Sequence, residues 1–373
     1  MEDENKPMKS CRAGSFSVKI MILNRRGVAL LLTLSIIALV VTVSMTLHRR
    51  SRESLSLAAA HRNWISRVQM AASGIHAGMA LLIRDKAATT VDSIQEEWAD
   101  ADSLAKLAAD VSFEEGDLMI SIGDELGKTQ INALVNYPEG RRFNEAQKRM
   151  WQGMLFFLKE QNKTLEGFEP ETIINSLKDW LDSDDDDAIT GVSGAESGYY
   201  QTLNPPYSCH NYPMTRLSEL SLVRGILPAH LTALGGIPGL SKYMTVYGAT
   251  PTNDNSFTYE GKININTADL PVLAALLPIL DQGLAGSIYD YRKEAAGSKY
   301  AHALSDTKWY RNAPGCGDLR IDPDLITTSS DVFRIESTAG LRGAKTTTIA
   351  VVLREKDEKT GKWTCKVLSW NSI

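Results

Sequence analysis

The chain has 373 residues, 43% hydrophobic and 23% charged, ordinary globular proportions with room for about two or three domains. A formal net charge of −5 gives no electrostatic case for nucleic acid as a partner. The four cysteines, Cys11, Cys209, Cys316 and Cys365, form no CxxC pair, which speaks against a zinc knuckle.

The first predicted element is a helix. Val28–Leu47 (VALLLTLSIIALVVTVSMTL) runs 20 residues without a charge, enough at about 1.5 Å per residue to cross a hydrocarbon core of roughly 30 Å. Basic residues stand on both sides, Arg25-Arg26 before it and Arg49, Arg50 and Arg52 after it, so the positive-inside count leaves orientation open. A secretory signal peptide fits less well, since its apolar region is about 7–15 residues and ends in a small-residue cleavage site. The basic pair and glycine directly before the apolar run resemble a type IV prepilin leader, cut after the glycine. That resemblance implies cleavage between Gly27 and Val28, with residues 1–27 as leader and 28–47 as the transmembrane part of the helix. The leader is long as it stands; a start at Met21 gives the more usual MILNRRG.

Beyond the basic collar, Ile65, Val68, Ala72, Ile75, Met79 and Leu82 recur at steps of three and four, the spacing of an amphipathic helix. No proline interrupts Val28–Asp85, so the spacing predicts one helix, lodged in a membrane or filament at its start and packed on a domain at its end. Pilins usually carry a glutamate at the fifth mature position; here that position is Leu32. A carboxylate in hydrocarbon costs a few kcal/mol, and pilins keep it to pair with a neighbour's amino terminus. Its lack points to a special position such as a filament tip.

Strand candidates follow at Asp117–Ile122 (DLMISI), Val332–Thr338 (VFRIEST), Lys345–Arg354 and Lys362–Trp370, the first two alternating apolar and polar residues. Between the first and the rest, Arg142–Glu160, Glu171–Leu181, Thr215–Gly225, Leu270–Leu280 and Leu284–Ala296 show helical spacing. Two phrases rhyme, GKTQINA from Gly127 and GKININTA from Gly261, and suggest two related small units, with Thr267 as a helix N-cap in the second. The segment from Ile265 to Glu294 resembles a helix-hairpin-helix module, which often holds DNA phosphates. Its hairpin, Leu277–Gly283, lacks the paired glycines and carries Asp281, which disfavours a phosphate.

Five aspartates fill the six positions from Asp182 to Asp187. Runs of like charge are usually solvated, but this one is enclosed by Trp180-Leu181 and Tyr199-Tyr200. Asp182, Asp184 and Asp186 alternate like the first ligands of an EF-hand, although the sixth position is Asp187 and the twelfth is Ser193, where an EF-hand needs glycine and glutamate. Glu196 offers a later ligand. Calcium, which takes about six to eight oxygens in irregular geometry, suits such a cluster better than magnesium.

The run WLDSDDDD…GAESGYY…NPPY…LSELSLVRGI, with the later Asn264-Ile265-Asn266-Thr267-Ala268, resembles the general secretion pathway protein K family, minor pseudopilins of type II secretion systems. The likeness extends from about Arg25 to Trp370, and the family also lacks the glutamate at the fifth mature position. It implies an α+β pseudopilin fold, a long N-terminal helix packed on a small antiparallel sheet, with a large all-helical insertion. The corresponding segments are 48–128 for helix and first strand, 129–330 for the insertion and 331–373 for the remaining sheet. It also implies calcium held by Asp182, Asp184, Asp186 and Glu196, with Asp179, Asp185 and Asp187 in ambiguous register. Implied partners are other minor pseudopilins at the pseudopilus tip, the prepilin peptidase and the inner membrane, and no nucleic acid. The implied location is the inner membrane, single-pass, with the C-terminal domain in the periplasm. A DNA-handling or type IV pilus-like minor pilin is the alternative.

No enzyme motif is present. The histidines (His48, His61, His76, His210, His230, His302) form no HExxH, and neither GxSxG nor a P-loop occurs. Cys209-His210 are adjacent and on an extended chain point to opposite sides. In an oxidising compartment a Cys209–Cys316 bridge is allowed, with Cys365 buried in its strand.

Overall fold

The computed structural model describes residues 25–373 except Ser112, Glu166, 186–188, 253–255 and Ser298. Helix α1 (Arg25–Ala88) is unbroken and is shared between two compact units, one ending at Arg62 and the other comprising Asn63–Ile373. In the first unit the apolar stretch has a mean hydropathy of 2.6 and no buried residue. Its three threonine hydroxyls are satisfied within the helix, Thr33, Thr42 and Thr46 donating to Leu30, Ala38 and Val43 carbonyls at 2.7–2.9 Å. A segment facing hydrocarbon needs such internal pairing.

In the second unit, α1 buries Met70, Ala71, Ile75, Leu81 and Leu82, while Ile65 is exposed. The predicted stripe is fully buried at Ile75 and Leu82 and half-buried at Val68, Ala72 and Met79, with the line of closest contact turned toward Ala71, Gly74 and Gly78. The reason is Gly74, which lies against the sheet so closely that a Cβ there would stand 2.2 Å from Ser337 Oγ. Small residues, not the aliphatic ones, mark the line of closest approach. Helix α2 (Ala101–Asp110), capped by Asp100 accepting from the Ser103 N–H, adds Leu104 and Ala108 to this core.

The sheet has four antiparallel strands in the order β1 (Asp117–Asp124), β2 (Val332–Leu341), β3 (Ala344–Lys356) and β4 (Trp363–Ser372). All four strand candidates are strands. Ile120, Phe333, Ile335, Ala350 and Val352 face α1 and form the core with Ile75, Leu82 and Trp98. Asp124 pairs with Phe333, so the chain leaves β1 and re-enters β2 at neighbouring points. A domain of some 200 residues can thus be inserted without disturbing the register.

The insertion is mainly helical. Helix α3 (Glu145–Gln161) and helix α4 (Pro170–Leu181) pack Trp151, Met154 and Leu158 with Ile173, Ile174, Leu177 and Trp180 in one core. It is not all-helical as expected. Short strands Thr129–Gln130 and Met244–Thr245 pair in parallel, as do Ile263–Asn264 and Ile326–Thr327, and two small hairpins occur. Pairs of two or three residues are too short to leave an alternating signal. The rhyming phrases occupy matching places: each supplies one strand of a parallel pair and, at the matching position, a buried asparagine that donates across the fold, Asn132 to the Met214 and Val246 carbonyls and Asn266 to those of Asp92, Leu304 and Thr328. Thr267 is not an N-cap. Asp269 holds that place, and the Thr267 hydroxyl donates instead to Asp124.

Candidate metal centre

Helix α4 determines the geometry of the acidic segment. Its end is anchored by Trp180, buried and edge-on to Tyr200 at 5.2 Å. The helix stops at Leu181, and Asp182 is its C-cap. Asp179 and Asp182, three residues apart, lie on one helical face and meet Glu196, which returns on the far side of the loop. Ligand atoms of Asp179, Asp182 and Glu196 all lie within 4.8 Å of one another, and all three residues are buried. Gly194 permits the return: a Cβ there would stand 2.0 Å from Asp179 Oδ2.

The three carboxylates differ in how far the protein satisfies them. Asp179 accepts the Thr190 N–H on both oxygens, at 3.2 and 3.1 Å. Asp182 Oδ2 is paired with the Lys178 ammonium, but its Oδ1 has no hydrogen-bond partner among the described residues. Among the described residues neither oxygen of Glu196 has one. Burial, followed for Glu196 by the neighbouring carboxylates, pushes Asp182 up to about 7 and Glu196 up to about 8. A buried oxygen without a partner costs about 1–3 kcal/mol and a charged one more. Oxygens that the described residues leave unpaired in this way are able to coordinate a hard cation, and an all-oxygen donor set suits calcium. The residues present fit that ion.

The other expected ligands are placed as follows. Asp184 is turned outward in a 3.6 Å ion pair with Arg141 and is not part of the group. Asp186 lies outside the described residues, as does Asp187. Asp185 accepts the Ser197 N–H at 3.2 Å. Gly27 and Val28, the expected cleavage site, are exposed on α1. Cys209 and Cys316 are free thiols, so the allowed bridge is not formed; Cys209 Sγ lies 3.2 Å from the Asp179 carbonyl oxygen, and Cys316 Sγ lies 3.6 Å from that of Pro314. Burial pushes the Cys209 thiol up to about 12, so it is not a thiolate ligand. Cys365 is half-buried on β4.

A second carboxylate group, Asp85, Asp92 and Glu96, has no sequence signal. Its own cations complete it. Arg354 reaches both Asp92 and Asp85, and Lys86 lies 3.4 Å from Asp92. Ser330 N–H donates to Asp92, and Glu96 accepts from Ser93, Trp98 and Thr89.

The long helix, the antiparallel sheet and the mainly helical insertion are the parts of a pseudopilin fold. Residues 127–243, which include the carboxylate site, match the family model for type II secretion system (T2SS), protein K. The type II secretion system protein K of Pseudomonas aeruginosa is 26% identical over 274 residues, covering 72% of this chain and 72% of that protein. Its counterpart in Aeromonas hydrophila is 26% identical over 206 residues, 54% of this chain and 59% of the relative. The Klebsiella pneumoniae protein is 25% identical over 202 residues, 54% and 58%. In the crystal structure of the GspK-GspI-GspJ complex from enterotoxigenic Escherichia coli, one chain shares the fold with a TM-score of 0.58 at 16% identity, covering 84% of this chain and 98% of that one. These findings make the chain similar to the type II secretion system protein K family and support a minor pseudopilin role in that pathway.

Proposed function

We propose that this chain caps the tip of a periplasmic pseudopilus, assembled with other minor pseudopilins, and acts by assembly and not by catalysis. The observation that carries the reading is the family match over 127–243, which falls on the part of the chain that ordinary pilin bodies lack. A bulky insertion leaving from paired strand ends is suited to blocking the addition of a further subunit. Leu32 in place of the pilin glutamate fits a subunit that needs no partner beyond it. The matched solved structure is itself a complex of three such chains, which supports other minor pseudopilins as partners.

The apolar part of α1 would hold the precursor in the inner membrane, with the remainder in the periplasm. A prepilin peptidase would cut between Gly27 and Val28, and the new amino terminus would be methylated. Asp182, Glu196 and Asp179 would hold calcium, with Asp186 and Asp184 as further ligands, the latter after leaving Arg141. When bound, the ion supplies a dense positive charge that about six to eight oxygens can share. Asp182 then closes the end of α4, and Glu196 pins the returning strand of the loop to it.

The test is co-expression with and without a prepilin peptidase, read by intact mass and N-terminal sequence, followed by co-purification with tagged minor pseudopilins. A product beginning at Val28 that co-purifies with them is expected. An unprocessed chain that remains alone contradicts the proposal.

A further inference from the structure

Lys178 lies on the last turn of α4, adjacent to Asp179 and one turn before Asp182. Its side chain is only 13% exposed, so the ammonium is directed into the carboxylate group and not into water. There it pairs with Asp182 Oδ2 and lies 3.8 Å from Asp179 Oδ1. Two other cations approach the loop without entering the group: Arg141 pairs with Asp184, and Arg224 donates to the Gly194 carbonyl.

Resting on the calcium reading above, we propose that Lys178 is a built-in competitor, a tethered cation that holds the site closed without metal and must leave when calcium binds. The argument is one of space and charge. The ammonium occupies an oxygen that calcium needs, while Asp182 Oδ1 and both Glu196 oxygens remain bare. Two cations within a few ångströms repel strongly where water is excluded. A lysine has a flexible four-carbon stem and a single compact charge, so it can withdraw to the surface without moving the helix. Lys178 therefore lowers calcium affinity and, in exchange, keeps the metal-free loop folded. The site then responds to calcium concentration and does not bind the ion irreversibly.

The experiment uses the full chain in detergent at fixed ionic strength. Calcium titration calorimetry and melting in excess chelator are compared for the wild type, Lys178→Met, Lys178→Gln and the charge control Lys366→Met on the exposed strand β4. Lys178→Met is expected to bind calcium about ten-fold more tightly, equivalent to about 1.4 kcal/mol, and to melt lower than the wild type in chelator. Lys178→Gln should do the same to a smaller extent and serves if the methionine variant does not fold. The control should match the wild type. Affinity unchanged or weakened in both Lys178 variants, with calcium still bound by the wild type, overturns the competitor role alone and leaves a plain helix-end lysine. Absence of calcium heat in every protein overturns the metal reading and the inference with it.

Discussion

The molecule holds two groups of three carboxylates that differ in one respect. Around Asp85, Asp92 and Glu96 the protein supplies Arg354, Lys86, the indole of Trp98 and backbone N–H groups. Around Asp179, Asp182 and Glu196 the described residues supply one lysine and the Thr190 N–H, and leave three buried oxygens bare. The first group is a self-contained joint that ties α1 and the start of β2 to β3. The second is left with oxygens that no described residue pairs. A count of acidic residues does not separate them; the state of their oxygens does.

The comparison is broken most severely by removing Arg354. Arg354→Met leaves the buried Asp92 with Lys86 and the Ser330 N–H but without its guanidinium, and urea unfolding should show a loss of about 3 kcal/mol, equal in calcium and in chelator. A loss seen in calcium alone would mean that the first group also binds metal. Next comes Asp182→Asn with Glu196→Gln. With calcium at about 100 times its Kd the wild type gains about 2.7 kcal/mol, and the double variant should forfeit that gain while melting no lower than wild type in chelator. Asp184→Asn sharpens the ligand set: a smaller fall in calcium shows that Asp184 leaves Arg141 to join, and no change shows that it does not.

The dependence on pH has a definite sign. Asp182 and Glu196 are raised to about 7 and about 8 from ordinary values of 3.8 and 4.5. The folded chain therefore binds protons that the unfolded chain has released, and this stability, present below about pH 4, is lost as pH rises through 7 to 8. In chelator the melting temperature should fall from pH 5 to pH 8, and excess calcium should remove or reverse the trend. The smallest effect concerns the thiols. Cys209 backs the site but is unbridged, so a reductant should shift melting by less than about 1 °C with or without calcium; a larger fall would reveal a disulfide.

Much of the fold was legible because its signals are long. The four strands of the sheet show alternation or β-branched runs, and α1 is an uninterrupted stretch without proline. The line of closest contact on α1 was hidden because it is made by Gly74, which hydrophobic periodicity does not count. At the metal centre, Asp182 and Glu196 were legible from alternate acidic spacing and from the family resemblance. Asp179 entered only in ambiguous register through that resemblance, Lys178 carried no signal at all, and it is the turn of the helix that brings both beside Asp182. The group completed by Arg354 could not be read at all, since 262 residues separate Arg354 from Asp92 and no local pattern links them.

The central claim is that the acidic loop is a calcium site that completes the insertion. The most direct measurement is the melting temperature of the full chain in detergent, in excess calcium and in excess chelator, beside the Asp182→Asn, Glu196→Gln variant. The account predicts a higher melting temperature in calcium for the wild type and equal values in both conditions for the variant. Equal values for the wild type, or a calcium shift that survives in the variant, would contradict it.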